Sequence, residues 1–229
     1  MKPTDGNWQL ADCTRSALPN ATEDPDYANA LSRPRSRSTR IVTLLRELDA
    51  IDKVAIKIVD ITRGDGSGRK DPKNLHPEGK VPLLDHDGVV IWESIAIIQY
   101  LTDLFPEKKM APVAGDPQRG RYLSWLAWYA GVVEPVLIMQ AAGISHPFVD
   151  FTFRSPAELA ARLETALKDC PYLMGERYTA VDLLLHSPFA WCPAATPESD
   201  VVKAWIERCG ERPSLQWTAN YDACTVVAA

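Results

Sequence analysis

The sequence predicts an α/β first domain over 26–105 followed by an all-helical domain over 119–229. Three observations carry this. Residues 39–61 pass from a helical apolar repeat to strand-like alternation. Residues 83–104 hold two short apolar runs split by Asp87-Gly88, then a second helical repeat. Beyond residue 119 strand alternation is absent and helical spacing recurs.

Each element follows from local chemistry. Residues 1–25 are rich in Asp, Asn, Thr and Pro, a composition that buries little, and read as an N-terminal extension. A first strand is expected over 27–31, then a polar loop over 32–38. A helix over 39–48 carries Ile41, Leu44, Leu45 and Leu48 on one face. Residues 52–61 alternate Val54, Ile56 and Ile58 with polar or small neighbours and read as a strand, closing a right-handed βαβ unit. The Gly-rich 63–69 loop leaves room for only a short helix before His76. Asp87-Gly88 between apolar pairs signals a hairpin, and Glu93-Ser94 heads a helix with Ile95, Ile98, Leu101 and Leu104 in register. Together these give a βαβ-ββα layout.

Prolines 106, 112 and 117 mark 106–118 as a linker. Helices are then expected over 122–138, over 155–167 after Ser155-Pro156, and over 201–209 before Gly210. Thr179 and Asp182 form a capping box, with Tyr178 placed to staple onto Leu183.

The 229 residues are 46% hydrophobic and 24% charged with net charge −5, which suits a soluble globular protein and offers no basic field for nucleic acid. Five scattered cysteines form no Cys-x-x-Cys pair and no metal-ligand spacing, so reduced thiols, a cytoplasmic location and no metal are expected. No secretory leader and no apolar run of membrane-spanning length is read.

From about Leu31 to Gln216 the chain resembles the glutathione transferase superfamily. The resemblance rests on Gly79-Lys80-Val81-Pro82, the Glu93-Ser94 pair heading a helix, the Thr179/Asp182 box, Arg212-Pro213-Ser214 and the aromatic helix at 122–129. Ser36-Arg37-Ser38-Thr39-Arg40 and His76-Pro77-Glu78-Gly79-Lys80 are similar to signatures of its bacterial and fungal branch. It implies a thioredoxin-like domain, a cis Val81–Pro82 bond, glutathione as co-substrate, and a homodimer. The Val81 backbone would pair with the cysteinyl part of glutathione like a sheet edge. Glu93 and Ser94 would take the γ-glutamyl amino and carboxylate groups at a helix N-terminus. Lys80 and His76 would neutralise the glycyl carboxylate.

The glutathione thiol reacts as thiolate, and lowering its pKa of about 8.5 by two units needs roughly 2.7 kcal/mol of preferential stabilisation. The family places Tyr, Ser or Cys after the first strand for this. Here Ser36 is the first candidate and Ser38 the second, although both also suit capping the helix that follows. Arg35 stands where the branch often carries Asn. Arg35, Arg37 and Arg40 are read as a solvated face, with charge support to a thiolate as the alternative. Tyr122, Trp125 and Tyr129, spaced for one helix face, are the candidate electrophile-binding residues. Asp182, His186 and Ser187 lie too close along one helix for a catalytic triad.

The leading functional expectation is an enzyme conjugating the glutathione thiolate to small hydrophobic electrophiles. The alternatives are a non-catalytic glutathione-binding or interaction protein of the same fold and a maleyl-acid cis-trans isomerase.

Overall fold

The structure, a computed structural model, describes residues 28–228, so the extension read over 1–25 lies outside the described residues. A four-stranded sheet of order β2-β1-β3-β4 is formed by β1 (Ala28–Ser32), β2 (Val54–Ile58), β3 (Leu83–His86) and β4 (Val89–Trp92). β1 and β2 run parallel through α1 (Thr39–Glu47), as a crossover helix requires. β3 is antiparallel to β1 and joins β4 in a hairpin whose Asp87 and Gly88 both have positive φ, 53° and 77°. α2 (Ser94–Leu104) follows β4 directly.

The sheet buries both faces. Ala28, Ala30, Val54 and Leu84 join α1 (Ile41, Leu44, Leu45) and α2 (Ile97, Ile98, Leu101) in the main core. Leu31, Val59, Val81 and Leu83 form a second cluster on the period-two alternate positions of β1 and β3. Each fully buried Leu or Ile contributes about 1.5–3 kcal/mol.

No helix forms between β2 and β3 among the described residues, contrary to the short helix expected there. Gly64, Gly66, Gly68 and Pro72 break it up, and Asp60 organises the loop instead, with Oδ1 accepting from Arg63 and Oδ2 from the Arg69 N–H.

The second half is helical. α3 (Arg119–Trp128) passes through one π-helical turn, Tyr129–Val133, into α4 (Glu134–Ala141). Within these 23 residues, Arg119–Ala141, an 18-residue window has a mean hydropathy of 1.3, enough for a membrane span by length and composition only. Tyr122, Trp125, Leu126, Tyr129, Val133 and Val136 from this stretch are buried in the core of the described protein. α5 (Pro147–Phe153), α6 (Pro156–Leu167), α7 (Ala180–Trp191), α8 (Asp200–Gly210) and α9 (Pro213–Ala228) follow.

The capping boxes of α6 and α7 form as their sequences demand. Asp182 does more than cap. Its buried carboxylate accepts hydrogen bonds from the Thr179 N–H and hydroxyl, the Leu173 N–H and the Trp205 indole, tying α7 to α8 and to the turn before α7. Burial raises its pKa although those bonds work in the opposite direction.

Candidate active site

The strand register builds the site. Leu31 at the end of β1 faces Leu83 at the start of β3, and Leu83 faces Trp92 at the end of β4. Three segments therefore meet at one end of the sheet: the β1–α1 loop (33–38), Val81-Pro82 and Glu93-Ser94. The Val81–Pro82 peptide bond is cis.

Glu93 is exposed and holds φ 68°, ψ 128°, a conformation costly for any residue but glycine. The first turn of α2 contains no acidic residue and Glu93 makes no side-chain cap bond. The helix N-terminus thus keeps its backbone donors and positive dipole end for an anion. Ser94, half-buried, is the first helical residue.

The stretch leading to Val81 is shaped from within. Asn74 accepts from the His76 N–H at 3.0 Å and donates to the Lys80 carbonyl at 3.1 Å. His76 is buried, and its Nδ1 accepts from the Glu78 N–H at 3.1 Å. Through that bond the His76 ring shapes the turn that leads to Val81. Gly79 has φ 67°, and a Cβ there would meet the Lys70 side chain at 2.8 Å. Lys80 is exposed and paired with Glu78, which raises its pKa and lowers that of Glu78.

Ser36 and Ser38 lie in a hydroxyl cluster. Ser36 Oγ donates to the Arg33 carbonyl at 2.7 Å and sits 2.8 Å from Ser38 Oγ, which lies 2.9 Å from Ser32 Oγ and accepts from the Arg33 N–H. Ser38 is buried, whereas Ser36 is half-exposed. Of the two, Ser36 is the one within reach of a bound molecule.

The arginines of this loop are not one solvated face. Arg40 is buried, lies 5.0 Å over the Tyr129 ring and reaches Glu134 at 3.4 Å. Arg37, half-exposed, donates to the same Glu134 oxygen at 2.7 Å. That hydrogen bond raises the Arg37 pKa, and Glu93 adds to it through space. Burial opposes ionisation of Glu134, but the two guanidiniums prevail and its carboxyl lies below the ordinary range. Arg37, Lys80, Glu93 and Glu134 thus form one electrostatic neighbourhood drawn from four segments.

Tyr122, Trp125 and Tyr129, the expected electrophile-binding residues, are buried in the helical core. Tyr122 and Tyr129 are 0% and 1% exposed, and burial pushes both phenols up to about 12. Trp125 lines an open groove of about 520 Å³ with Arg121, Ala161, Arg162, Thr165 and Ala166, none of them a residue of the sheet-end site. The π turn falls where Tyr129 and Glu134 face Arg40, and such turns recur at functional sites. One helical turn beyond Glu134, on the same face, Ile138 is 50% exposed. Arg37, Arg40 and Glu134 therefore meet beside the serine loop; the sequence reading weighs the two arginines only as an alternative charge support to a thiolate and does not select Glu134. A lone carboxylate entering the apolar run 132–139 was the available signal.

His186 and Ser187 are spent structurally. His186 packs edge-on against Trp205 and burial lowers its pKa to about 4, while Ser187 Oγ donates to the Leu184 carbonyl. Among the described residues no group of three or more His, Cys, Asp or Glu is placed to hold a metal.

Residues 34–104 match the glutathione S-transferase N-terminal domain and residues 138–213 the glutathione S-transferase C-terminal domain. Protein LigF of Sphingobium sp. is 42% identical over 192 residues, covering 63% of this chain and 75% of LigF. Glutathione S-transferase GstA of Escherichia coli O157:H7 is 28% identical over 153 residues, covering 62% of this chain and 73% of GstA. A glutathione transferase crystal structure from Methylococcus capsulatus aligns with TM-score 0.70 at 26% identity, over 86% of this chain and 98% of that one. A sphingomonad glutathione S-transferase complexed with glutathione shares the fold, with TM-score 0.68 at 22% identity over 85% and 98%. With both domains matched in order along one chain, and a sheet end built from a cis Val81–Pro82 bond and an open helix N-terminus, the protein belongs to the glutathione S-transferase family.

Proposed function

We propose that the sheet-end cleft binds glutathione and that the protein joins the glutathione sulfur to small hydrophobic electrophiles. The observation that carries this is the register that gathers the β1–α1 loop, Val81-Pro82 and Glu93-Ser94 at one edge. The γ-glutamyl carboxylate lies at Ser94 and the free N–H groups of α2, with its ammonium on Glu93. The cysteinyl backbone runs along Val81, and Lys80 exchanges Glu78 for the glycyl carboxylate. This leaves the sulfur facing the serine loop.

There the Ser36 hydroxyl turns from the Arg33 carbonyl to donate to the sulfur, and Arg37 adds positive charge. The thiol proton leaves to solvent, the thiolate forms a carbon–sulfur bond, and the electrophile's leaving group departs with its electron pair. Ile138 offers apolar surface on the electrophile's side. The Ser36–Arg40 and His76–Lys80 segments support membership of the bacterial and fungal branch. Exposed Trp92, Tyr100 and Leu104 on β4 and α2 fit a homodimer contact, and the proposed place of action is the cytoplasm.

A second reading, binding without turnover, is favoured by one observation: the Ser36 hydroxyl is held in hydrogen bonds to the Arg33 carbonyl and to Ser38. Capture on immobilised glutathione followed by conjugation with an aryl chloride separates the two. The proposal expects capture, turnover, and roughly a hundredfold loss of turnover in Ser36→Ala with capture retained. Capture without turnover in the unaltered protein overturns the transferase reading, and failure of capture overturns both.

A further inference from the structure

α9 lies along α1, and the two meet through side-chain pairs spaced four residues apart on each helix. Thr39 Oγ1 donates to Asp222 Oδ2 at 2.8 Å, Thr43 Oγ1 to Thr218 Oγ1 at 3.2 Å, and Ser214 Oγ to Glu47 Oε1. Four-residue spacing keeps each set on one helix face, and the reversed order makes the helices antiparallel.

The rung nearest the site differs from the other two. Asp222 Oδ2 also accepts the Arg35 N–H at 2.8 Å. Arg35 has φ 55°, the left-handed conformation that non-glycine residues rarely hold without support. The next residue is Ser36. A carboxylate on the last helix therefore pins the backbone immediately before the hydroxyl proposed to meet the thiol, and through Thr39 it also grips the first turn of α1. Asp222 is 5% exposed, and its Oδ1 has no hydrogen-bond partner among the described residues. A buried carboxylate with an idle oxygen is a costly means of docking two helices, a task that apolar side chains perform without it. Its distinctive contact is the Arg35 N–H.

We propose that Asp222 is a positioning residue for the thiol-activating loop: it holds Arg35 in its left-handed conformation and so fixes where Ser36 presents its hydroxyl. The inference rests on the transferase reading for its consequence in catalysis, and on geometry alone for its consequence in the loop. Thr218, one turn away in the same ladder, touches α1 but not the loop, and is the internal control.

Three variants, Asp222→Ala, Asp222→Asn and Thr218→Val, test it in the full chain. In ligand-free protein, amide exchange across residues 33–38 should quicken at least about tenfold in Asp222→Ala, stay near the unaltered rate in Thr218→Val, and recover largely in Asp222→Asn, which keeps an acceptor of the same shape. With glutathione bound, thiolate absorbance should report a thiol pKa raised by about one unit in Asp222→Ala, matched by a roughly tenfold lower kcat with little change in the glutathione KM. Equal loss of melting temperature in Asp222→Ala and Thr218→Val, with loop exchange and thiol pKa unmoved, overturns the proposal. Quickened loop exchange in Asp222→Ala beside an unaltered protein that does not turn over supports the positioning role and sinks the transferase reading, so the two failures are distinguishable.

Discussion

Replacing Glu47 by Gln should cost the protein about 2–4 kcal/mol of stability. Glu47 ends α1 with its side chain 8% exposed, and its two oxygens accept from Arg212 Nε and Nη2, each at 2.6 Å. The Ser214 hydroxyl donates to Oε1 as well. A glutamine side chain would retain the shape but carry no charge, and its amide would set N–H groups against the Arg212 donors. A hydrogen bond to a charged partner contributes about 1.5–3 kcal/mol. Two such bonds set the upper bound. Arg212, at 29% exposure and 3.9 Å over the Tyr178 ring, recovers part of the loss through water and the ring face. For a chain of this size the expected fall in melting temperature is about 5–15 °C. Urea titration followed by tryptophan fluorescence measures it, with the midpoint falling and the slope unchanged. A loss below about 0.5 kcal/mol would place the pair among ordinary solvent-screened surface bridges and refute the claim that it clamps α9 onto α1.

Two further outcomes follow from single residues. His186 is buried and neutral in the folded state, with its pKa lowered to about 4 by burial. Between pH 6.5 and 4 the unfolded chain binds a proton there that the folded chain does not. Stability therefore falls as pH falls through that window, by up to about 3 kcal/mol, and no further below it. Urea midpoints at pH 7.5, 6.5, 5.5 and 4.5, compared with those of His186→Leu, should converge toward acid. Parallel curves would contradict the assignment. Glu93→Gly should relieve the positive-φ strain and raise stability by about 1 kcal/mol after glycine's entropy is counted, while weakening glutathione binding by at least about tenfold. A less stable variant would show that Glu93 is not strained, and one that binds as before would show that it is not a ligand contact.

What the sequence revealed depended on whether the determining chemistry was local. The hairpin was legible because Asp87-Gly88 supplies the two positive φ values its turn needs, and α6 and α7 were legible because Ser155-Pro156 and the Thr179/Asp182 box mark their first turns. Glu93-Ser94 could be placed at a helix start for the same reason. α9 was not foreseen. The face it turns to α1 is polar (Ser214, Thr218, Asp222), where an apolar stripe would be sought. α5 escaped in the same way, because Phe148 and Phe151 are exposed and mark no core face.

Arg40 was read as solvated because its partner Glu134 lies 94 residues away, and only the fold brings that carboxylate and the Tyr129 ring to it. The part His76 plays in its turn was missed for the opposite reason. Its partners Asn74 and Glu78 are two residues away, but a turn anchored on a ring nitrogen has the same residue types as a ligand site. The aromatic spacing at 122, 125 and 129 was real, yet the face it defines is buried.

In the proposed function the sheet end recognises glutathione through Val81, Glu93 and the N-terminus of α2. Calorimetric titration of reduced glutathione into the full chain tests it most directly, with Ser94→Ala titrated in parallel. One glutathione should bind per chain, with an affinity at least about tenfold weaker in Ser94→Ala, the loss of one charge-assisted hydrogen bond. No binding to the unaltered chain, or equal affinity in the two proteins, would contradict it.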